Sequence, residues 1–165
     1  MMDERKARER ALELVQCAAA AGLTVATAES CTAGLVASTI ASIPGASEVL
    51  RGGAVTYVDE LKHQVLGVHR ETLAIWSAVS EPCAREMAVG ARRVFESSIA
   101  VSVTGYAGPG GGTDADPVGT VYLGCADEHG TRVERCQFEG ERDEVRWQAA
   151  VRALELLIAA CGDNV

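Results

Sequence analysis

Thr27-Ala28-Glu29-Ser30-Cys31-Thr32-Ala33-Gly34 sets a hydroxyl beside a thiol where a β-prone run, 23–28, gives way to an apolar helical pattern, 35–43. The first amides of a helix lack internal partners and carry partial positive charge. A side chain held there can attack a carbonyl or bind an anion. The same residues have a plainer use, with Ser30 or Thr32 capping the helix. The G-x-S-x-G pattern of a nucleophile elbow is absent. His63, His69 and His129 fall in a helix, a loop and a hairpin turn. A Ser-His-Asp arrangement is therefore not expected, and Ser30 would need another base. Lys62 is the candidate: with Asp59 as cap of a short helix, Lys62 sits in its first turn. The positive helix end disfavours the charged amine there, and a neutral lysine can take a serine proton. Tyr57, five positions earlier, could relay that proton or polarise a carbonyl. The plain alternatives are a solvated lysine and a half-buried strand aromatic.

A second candidate stretch is the loop 105–113, Gly-Tyr-Ala-Gly-Pro-Gly-Gly-Gly-Thr, entered from Thr104. It lacks the Gly-Lys-Ser/Thr of a Walker A loop and leads into a strand, unlike a dinucleotide-binding turn. Its glycines, Gly105 and Gly108 among them, still allow backbone amides to approach an anion or oxyanion. Arg142 and Arg146 share one face near the start of the last helix and could hold a phosphate. Asp143 and Glu144 beside them favour a solvated salt-bridge face instead. Of the cysteines at 17, 31, 83, 125, 136 and 161, no pair has C-x-x-C spacing and no metal site is expected. Cys17, Cys83 and Cys161 fall in helical stretches, while Cys31, at a helix start, is the one with a reason to be reactive.

The elements that must position these residues read as alternating helices and strands. Helices are expected over 3–21 (apolar face Leu12, Val15, Ala18 and Ala19), 35–43, 59–66, 70–75, 80–95 (Met87, Ala88, Ala91 and Val94 inward) and 141–161 (Trp147, Val151, Leu154 and Ile158). Ser80 caps the fifth, and Pro82 lies in its first turn. Strands are expected over 23–28, 48–57 and 99–104, followed by a hairpin of 118–126 and 131–138. Gly52-Gly53 suggests a bulge or a close backbone approach. The late hairpin requires an antiparallel pair. The expected fold is therefore α/β, a three-layer α/β/α sandwich around a mixed, mostly parallel sheet of about five strands. Ligands gather at the carboxyl ends of parallel strands in such sheets. If the first three strands are parallel, Ser30, Tyr57 and Thr104 with its loop converge on one edge.

At 165 residues the chain suits one domain, 1–165, with a core built mainly of Ala, Val and Leu because aromatics make up only 4%. No run reaches the length of a membrane span, and the charged start lacks the apolar region of a signal peptide, so a cytoplasmic location is expected. A net charge of −8 argues against nucleic acid as a partner. A small phosphorylated molecule needs only a few local donors. The Ala-rich helix faces allow a homo-oligomer.

Together, Thr27 to Gly34, Pro44-Gly45-Ala46-Ser47, Gly52 to Tyr57, Lys62 with Leu66-Gly67-Val68, Ala78-Val79-Ser80-Glu81, Thr104 to Pro109, Pro117 to Val121 and Arg142 to Arg146 resemble the CinA C-terminal domain family. Its enzymatic members are nicotinamide-nucleotide amidohydrolases. The resemblance runs from about Leu12 to Ile158 and implies the same α/β/α fold. It implies hydrolytic deamidation of nicotinamide mononucleotide to nicotinic acid mononucleotide and ammonia, without metal or cofactor. Ser30 would then be the nucleophile, with Lys62 and Tyr57 as its partners. The backbone at Cys31, Thr32, Thr104 and Gly105 would surround the reacting carbonyl. The phosphate would rest on the glycine loop near Gly108 or on Arg142. The alternatives are a non-catalytic nucleotide-binding module of the same fold, or an amidase for another amide. Four positions depart from the family pattern. Ala33 and Ser77 stand where Gly is usual, Tyr106 where an aliphatic residue is usual, and Asp116 where Lys is usual. The lost positive charge at 116 would weaken phosphate binding if that side chain reaches the ligand.

Overall fold

The computed structural model describes residues 2–164. In chain order the elements are α1 (Met2–Ala21), β1 (Val25–Glu29), α2 (Leu35–Ala41), β2 (Leu50–Val55), α3 (Asp59–Leu66), α4 (Arg70–Trp76), α5 (Glu81–Phe95), β3 (Ile99–Gly105), β4 (Thr120–Asp127), β5 (Gly130–Gln137) and α6 (Arg142–Asp163). A single turn of 3-10 helix, Ala46–Glu48, precedes β2. The strands form one sheet in the order β2-β1-β3-β4-β5. β1 runs parallel to both β2 and β3, whereas β3–β4 and β4–β5 are antiparallel. The expected mixed sheet is present, with its parallel part at β2, β1 and β3.

β1 and β3 are buried along nearly their whole length, as strands covered on both faces must be. Val25, Val101, Val121 and Leu123 pack against α1, α2 and α6 on one face. Ala26, Ala28 and Ala100 pack against Met87 and Ala91 of α5 and Leu66 of α3 on the other. Small strand residues bring the helices close, consistent with a core poor in aromatics. Gly53 shows the tolerance: a Cβ there would lie 2.3 Å from Thr27 Oγ1. The β1–β2 register also shifts between Val25 and Ala26, where Arg51 is the extra residue just before Gly52, so the bulge adjoins the glycine pair and the close approach is at Gly53.

Several expected faces are corrected. The buried stripe of α1 is Ala7, Ala11, Leu14, Val15 and Ala18, while Leu12 and Ala19 face solvent. The stripe follows the residues spaced three or four apart, Ala7, Ala11, Leu14 and Ala18, that face the core packed by α6. Val94 is likewise exposed, since α5 meets the sheet through Met87, Ala88 and Ala91. β2 ends at Val55, which leaves Tyr57 in the connection to α3. The Ser80 cap of α5 is as expected: its hydroxyl accepts from the Cys83 N–H at 3.3 Å, and Pro82 lies in the first turn. No described helix is long and apolar enough to cross a membrane.

Candidate functional site

β1, β2 and β3 deliver Ser30, the 56–57 segment and Thr104-Gly105 to the same sheet edge, because all three strands point the same way. A cavity of about 370 Å³ opens there. Ser30, Cys31, Tyr57 and Lys62 line one part of it, and Ser77, Thr104, Gly105, Gly108 and Arg142 line the rest. Of the residues singled out from the sequence, Thr32 stands apart. It is fully buried and outside the lining.

Glu29 explains how the turn at Ser30 is held. Its carboxylate has no exposure, and it accepts three backbone N–H bonds. Oε2 takes Gly34 at 2.9 Å and Val36 at 3.1 Å, and Oε1 takes Ala37 at 2.9 Å. Leu35 N–H goes to the Thr32 carbonyl at 3.1 Å. The first-turn amides of α2 are thus occupied, and α2 begins at Leu35, beyond the reactive residues. Neither Ser30 nor Thr32 caps it. Thr32 Oγ1 is buried and has no hydrogen-bond partner among the described residues. A charged residue ending an otherwise apolar strand, five positions before a glycine, is the sequence signal for this arrangement. Opposite the turn, Arg146 donates to the carbonyls of Cys31 and Thr32, both at 3.1 Å. Arg146 is therefore a clamp on the Ser30–Gly34 turn, and only its Nη1 bond to Asp143 matches the solvated ion pair expected.

With the turn fixed from both sides, the N–H groups of Cys31 and Thr32 reach no other residue's acceptor among the described residues. Ser30 Oγ is half-buried and hydrogen-bonds no described residue. The site therefore presents a hydroxyl without a partner next to the Cys31 N–H, whose contact is with its own thiol. Cys31 does not share that readiness. Burial is the main cause that pushes its thiol up to about 11; its own backbone N–H is the chief opposing influence, the Glu29 charge adds to the rise, and Arg146 and Arg142 oppose it further. A thiol so placed stays protonated at neutral pH, which corrects the expectation of a reactive Cys31.

Lys62 is 1% exposed. Its Nζ donates to the Thr56 carbonyl at 2.9 Å and pairs with Asp59 Oδ1 at 3.5 Å. Val58 occupies the cap position and Asp59 is the first helical residue, so Asp59 serves Lys62 instead of the helix end. The expected setting of the amine thus gains a carboxylate partner that spacing alone did not show. No hydrogen bond joins Ser30 to Lys62 or Tyr57 in the described structure. Such bonds commonly tighten only around a substrate.

Arg142 spans the cavity mouth. It donates to the Gly108 carbonyl at 2.7 Å and to the Tyr57 hydroxyl at 2.8 Å. The solvated salt-bridge face expected for Arg142 is therefore absent, because α6 starts against the glycine loop and aims this side chain across it. Thr104 Oγ1 donates to the Ala78 carbonyl at 2.7 Å, which fastens the 77–79 segment as a further wall. Gly105 must be glycine because a Cβ there would lie 2.6 Å from the Thr120 carbonyl. Asp116 lies outside the lining; its Oδ1 accepts from Arg135 at 2.9 Å and from Tyr122 at 3.1 Å. The concern about charge at 116 does not reach the cavity.

A depression of about 380 Å³ near Arg92, Arg93 and Glu96 has no comparable convergence. Its arginines donate to the Ser98 and Leu66 carbonyls. Among the described residues, no three His, Cys, Asp or Glu side chains form a potential metal site.

The model of the CinA C-terminal domain matches residues 7–161. The chain belongs to that family. This CinA-type chain is 51% identical over 139 residues to a CinA-like protein of Anaeromyxobacter sp. (strain K), covering 84% of this chain and 34% of that protein. It is 52% identical over 136 residues to a CinA-like protein of Geobacter sulfurreducens, covering 82% of this chain and 33% of the relative. The chain thus spans about a third of the length of these relatives. Among solved structures, the competence/damage inducible protein CihA of Agrobacterium tumefaciens matches with a TM-score of 0.91 at 40% identity, over 93% of this chain and 94% of that one. A CinA superfamily protein of Klebsiella pneumoniae matches with a TM-score of 0.91 at 35% identity, over 95% and 98%. The α/β/α architecture is the one these CinA structures share.

Proposed function

We propose that this chain hydrolyses the carboxamide of nicotinamide mononucleotide to the acid and ammonia, with Ser30 as nucleophile. The observation that carries the reading is the unengaged Ser30 hydroxyl beside the backbone N–H of Cys31, in a cavity that Tyr57 and Lys62 also line. Lys62 acts as the base for the Ser30 proton, directly or through the Tyr57 hydroxyl, and Asp59 pairs with the ammonium that forms. Ser30 Oγ bonds to the carboxamide carbon, and the carbonyl electrons move to oxygen. Donors already oriented toward that oxyanion stabilise the transition state without reorganising. The C–N bond then breaks, and the nitrogen leaves as ammonia with the proton that Ser30 gave up. Water hydrolyses the resulting ester and restores the hydroxyl. Arg142, with two neutral acceptors at the mouth, can exchange either of them for a phosphate, a stronger charge-assisted partner.

The test is ammonia release from nicotinamide mononucleotide, with the riboside and free nicotinamide as controls. Ser30→Ala should abolish release while the circular dichroism spectrum and melt stay unchanged. Near-normal turnover in that variant refutes the serine assignment. Release by the unmodified chain from none of the three amides refutes the amidase reading in favour of a binding module.

A further inference from the structure

Ser77 adopts φ 67 and ψ 173, a backbone region that is nearly exclusive to glycine. It also lines the cavity. A glycine would take this conformation without steric cost, so the side chain is present in spite of the backbone. The conformation is imposed from outside. Ser80 Oγ donates to the Ser77 carbonyl at 2.9 Å while capping α5, and Thr104 Oγ1 holds the next carbonyl, that of Ala78. The Ser77 hydroxyl does little of this holding. Its one contact, to the Val79 carbonyl, is 3.4 Å long, beyond the usual O–H···O range. The residue thus offers a weakly engaged hydroxyl on an exposed part of the cavity lining, whereas Ser30 is half-buried just past the end of β1. A substrate with its carboxamide at Ser30 must extend toward the rim through whatever the amide ring carries.

We propose that Ser77 is a specificity-determining residue whose hydroxyl hydrogen-bonds the sugar of a ribosylated amide, away from the reacting carbon. This rests on the amidase reading above, and it adds a rim contact to that reading. Two variants separate the hydroxyl from the backbone strain. Ser77→Ala removes the hydroxyl and keeps the strained conformation, whereas Ser77→Gly removes both.

The experiment measures kcat and KM for nicotinamide mononucleotide, together with Tm, for both variants and the unmodified chain. Both variants should raise KM about fivefold, the size of one ordinary hydrogen bond, with kcat within about twofold. Ser77→Gly alone should raise Tm, by about 2–4 °C, as the strain is released. An unchanged KM in both variants, with an active parent, overturns the Ser77 proposal and leaves the amidase reading standing. A KM that rises only in Ser77→Gly assigns the effect to wall stiffness and overturns the hydroxyl contact. A kcat that falls in both variants also overturns it, because the residue would then act on the chemical step. An inactive parent overturns the amidase reading, and this inference with it.

Discussion

Replacing Glu29 with Gln keeps the shape of the side chain and removes what the site needs from it. The carboxylate offers acceptors on both oxygens to Gly34, Val36 and Ala37, at 2.9, 3.1 and 2.9 Å. An amide has one oxygen. If that oxygen takes the Oε2 position, the Gly34 and Val36 bonds survive without their charge assistance, and the NH₂ group faces the Ala37 N–H. Two donor groups, the Ala37 N–H and the NH₂ facing it, are then unsatisfied, and the negative charge at the start of α2 is lost. A bond to a charged group is worth about 1.5–3 kcal/mol, and the charge–dipole interaction adds up to about 2 kcal/mol when partly buried. The expected loss is on the order of 3 kcal/mol, in line with breaking a buried charged arrangement. For a chain of this size that lowers Tm by roughly 6–12 °C. The assay is a thermal melt together with amide hydrogen exchange. Exchange should accelerate first at Gly34, Val36 and Ala37, while the distant Gly124 N–H, bonded to Ser102 Oγ at 3.1 Å, stays protected. Ammonia release should fall with the melt, because the Ser30–Gly34 turn loses one of its two supports. A Tm drop under about 2 °C with unchanged exchange at those three amides refutes the reasoning.

Burial pushes the thiols of Cys83, Cys125 and Cys161 up to about 12 and that of Cys31 to about 11. The unfolded chain therefore releases these protons near pH 9 while the folded chain keeps them. Stability is complete below pH 9 and falls as pH rises from there toward 11–12. Melts across that range should show the decline, and Cys83→Ala should flatten it relative to its own value at pH 8; a slope unchanged by that variant counts against this cause. Ala33 sits at φ 51, a left-handed conformation that costs an L-residue roughly 1–2 kcal/mol. After the extra entropy of an unfolded glycine, Ala33→Gly should stabilise by about 0.5–1 kcal/mol in a denaturant titration. A midpoint that falls instead would refute the strain argument.

Periodicity and turn chemistry are enough to read the elements and the late hairpin, because each depends on residues close in the chain; the edge where Ser30, Tyr57 and Thr104 meet also needs the parallel order of β2, β1 and β3, which only the sheet supplies. Apolar runs at 23–28 and 99–104 mark strands covered on both faces, and Ser80-Glu81-Pro82 marks a helix start by local rules. The same local rules misplace Leu12, Ala19 and Val94, since which of several apolar positions a helix turns inward depends on where its distant partners lie. They also assigned the cap of α2 to Ser30 or Thr32. Only the folded chain shows that Glu29 occupies those amides, which frees the Ser30 hydroxyl for other use. Arg142 and Arg146 read as a surface ion-pair face because their near neighbours are acidic. Tertiary structure sends one across the cavity to Tyr57, 85 positions away, and the other onto the Cys31 carbonyl, 115 positions away. Cys31 was judged by its place at a helix start, yet burial, which no local pattern reports, keeps its thiol protonated. By itself, the sequence determined which residue types stand at the strand ends and that the chain alternates strand and helix. The tertiary structure decided which hydroxyl is left without a partner and which charges reach the cavity, because both depend on groups that only folding brings together.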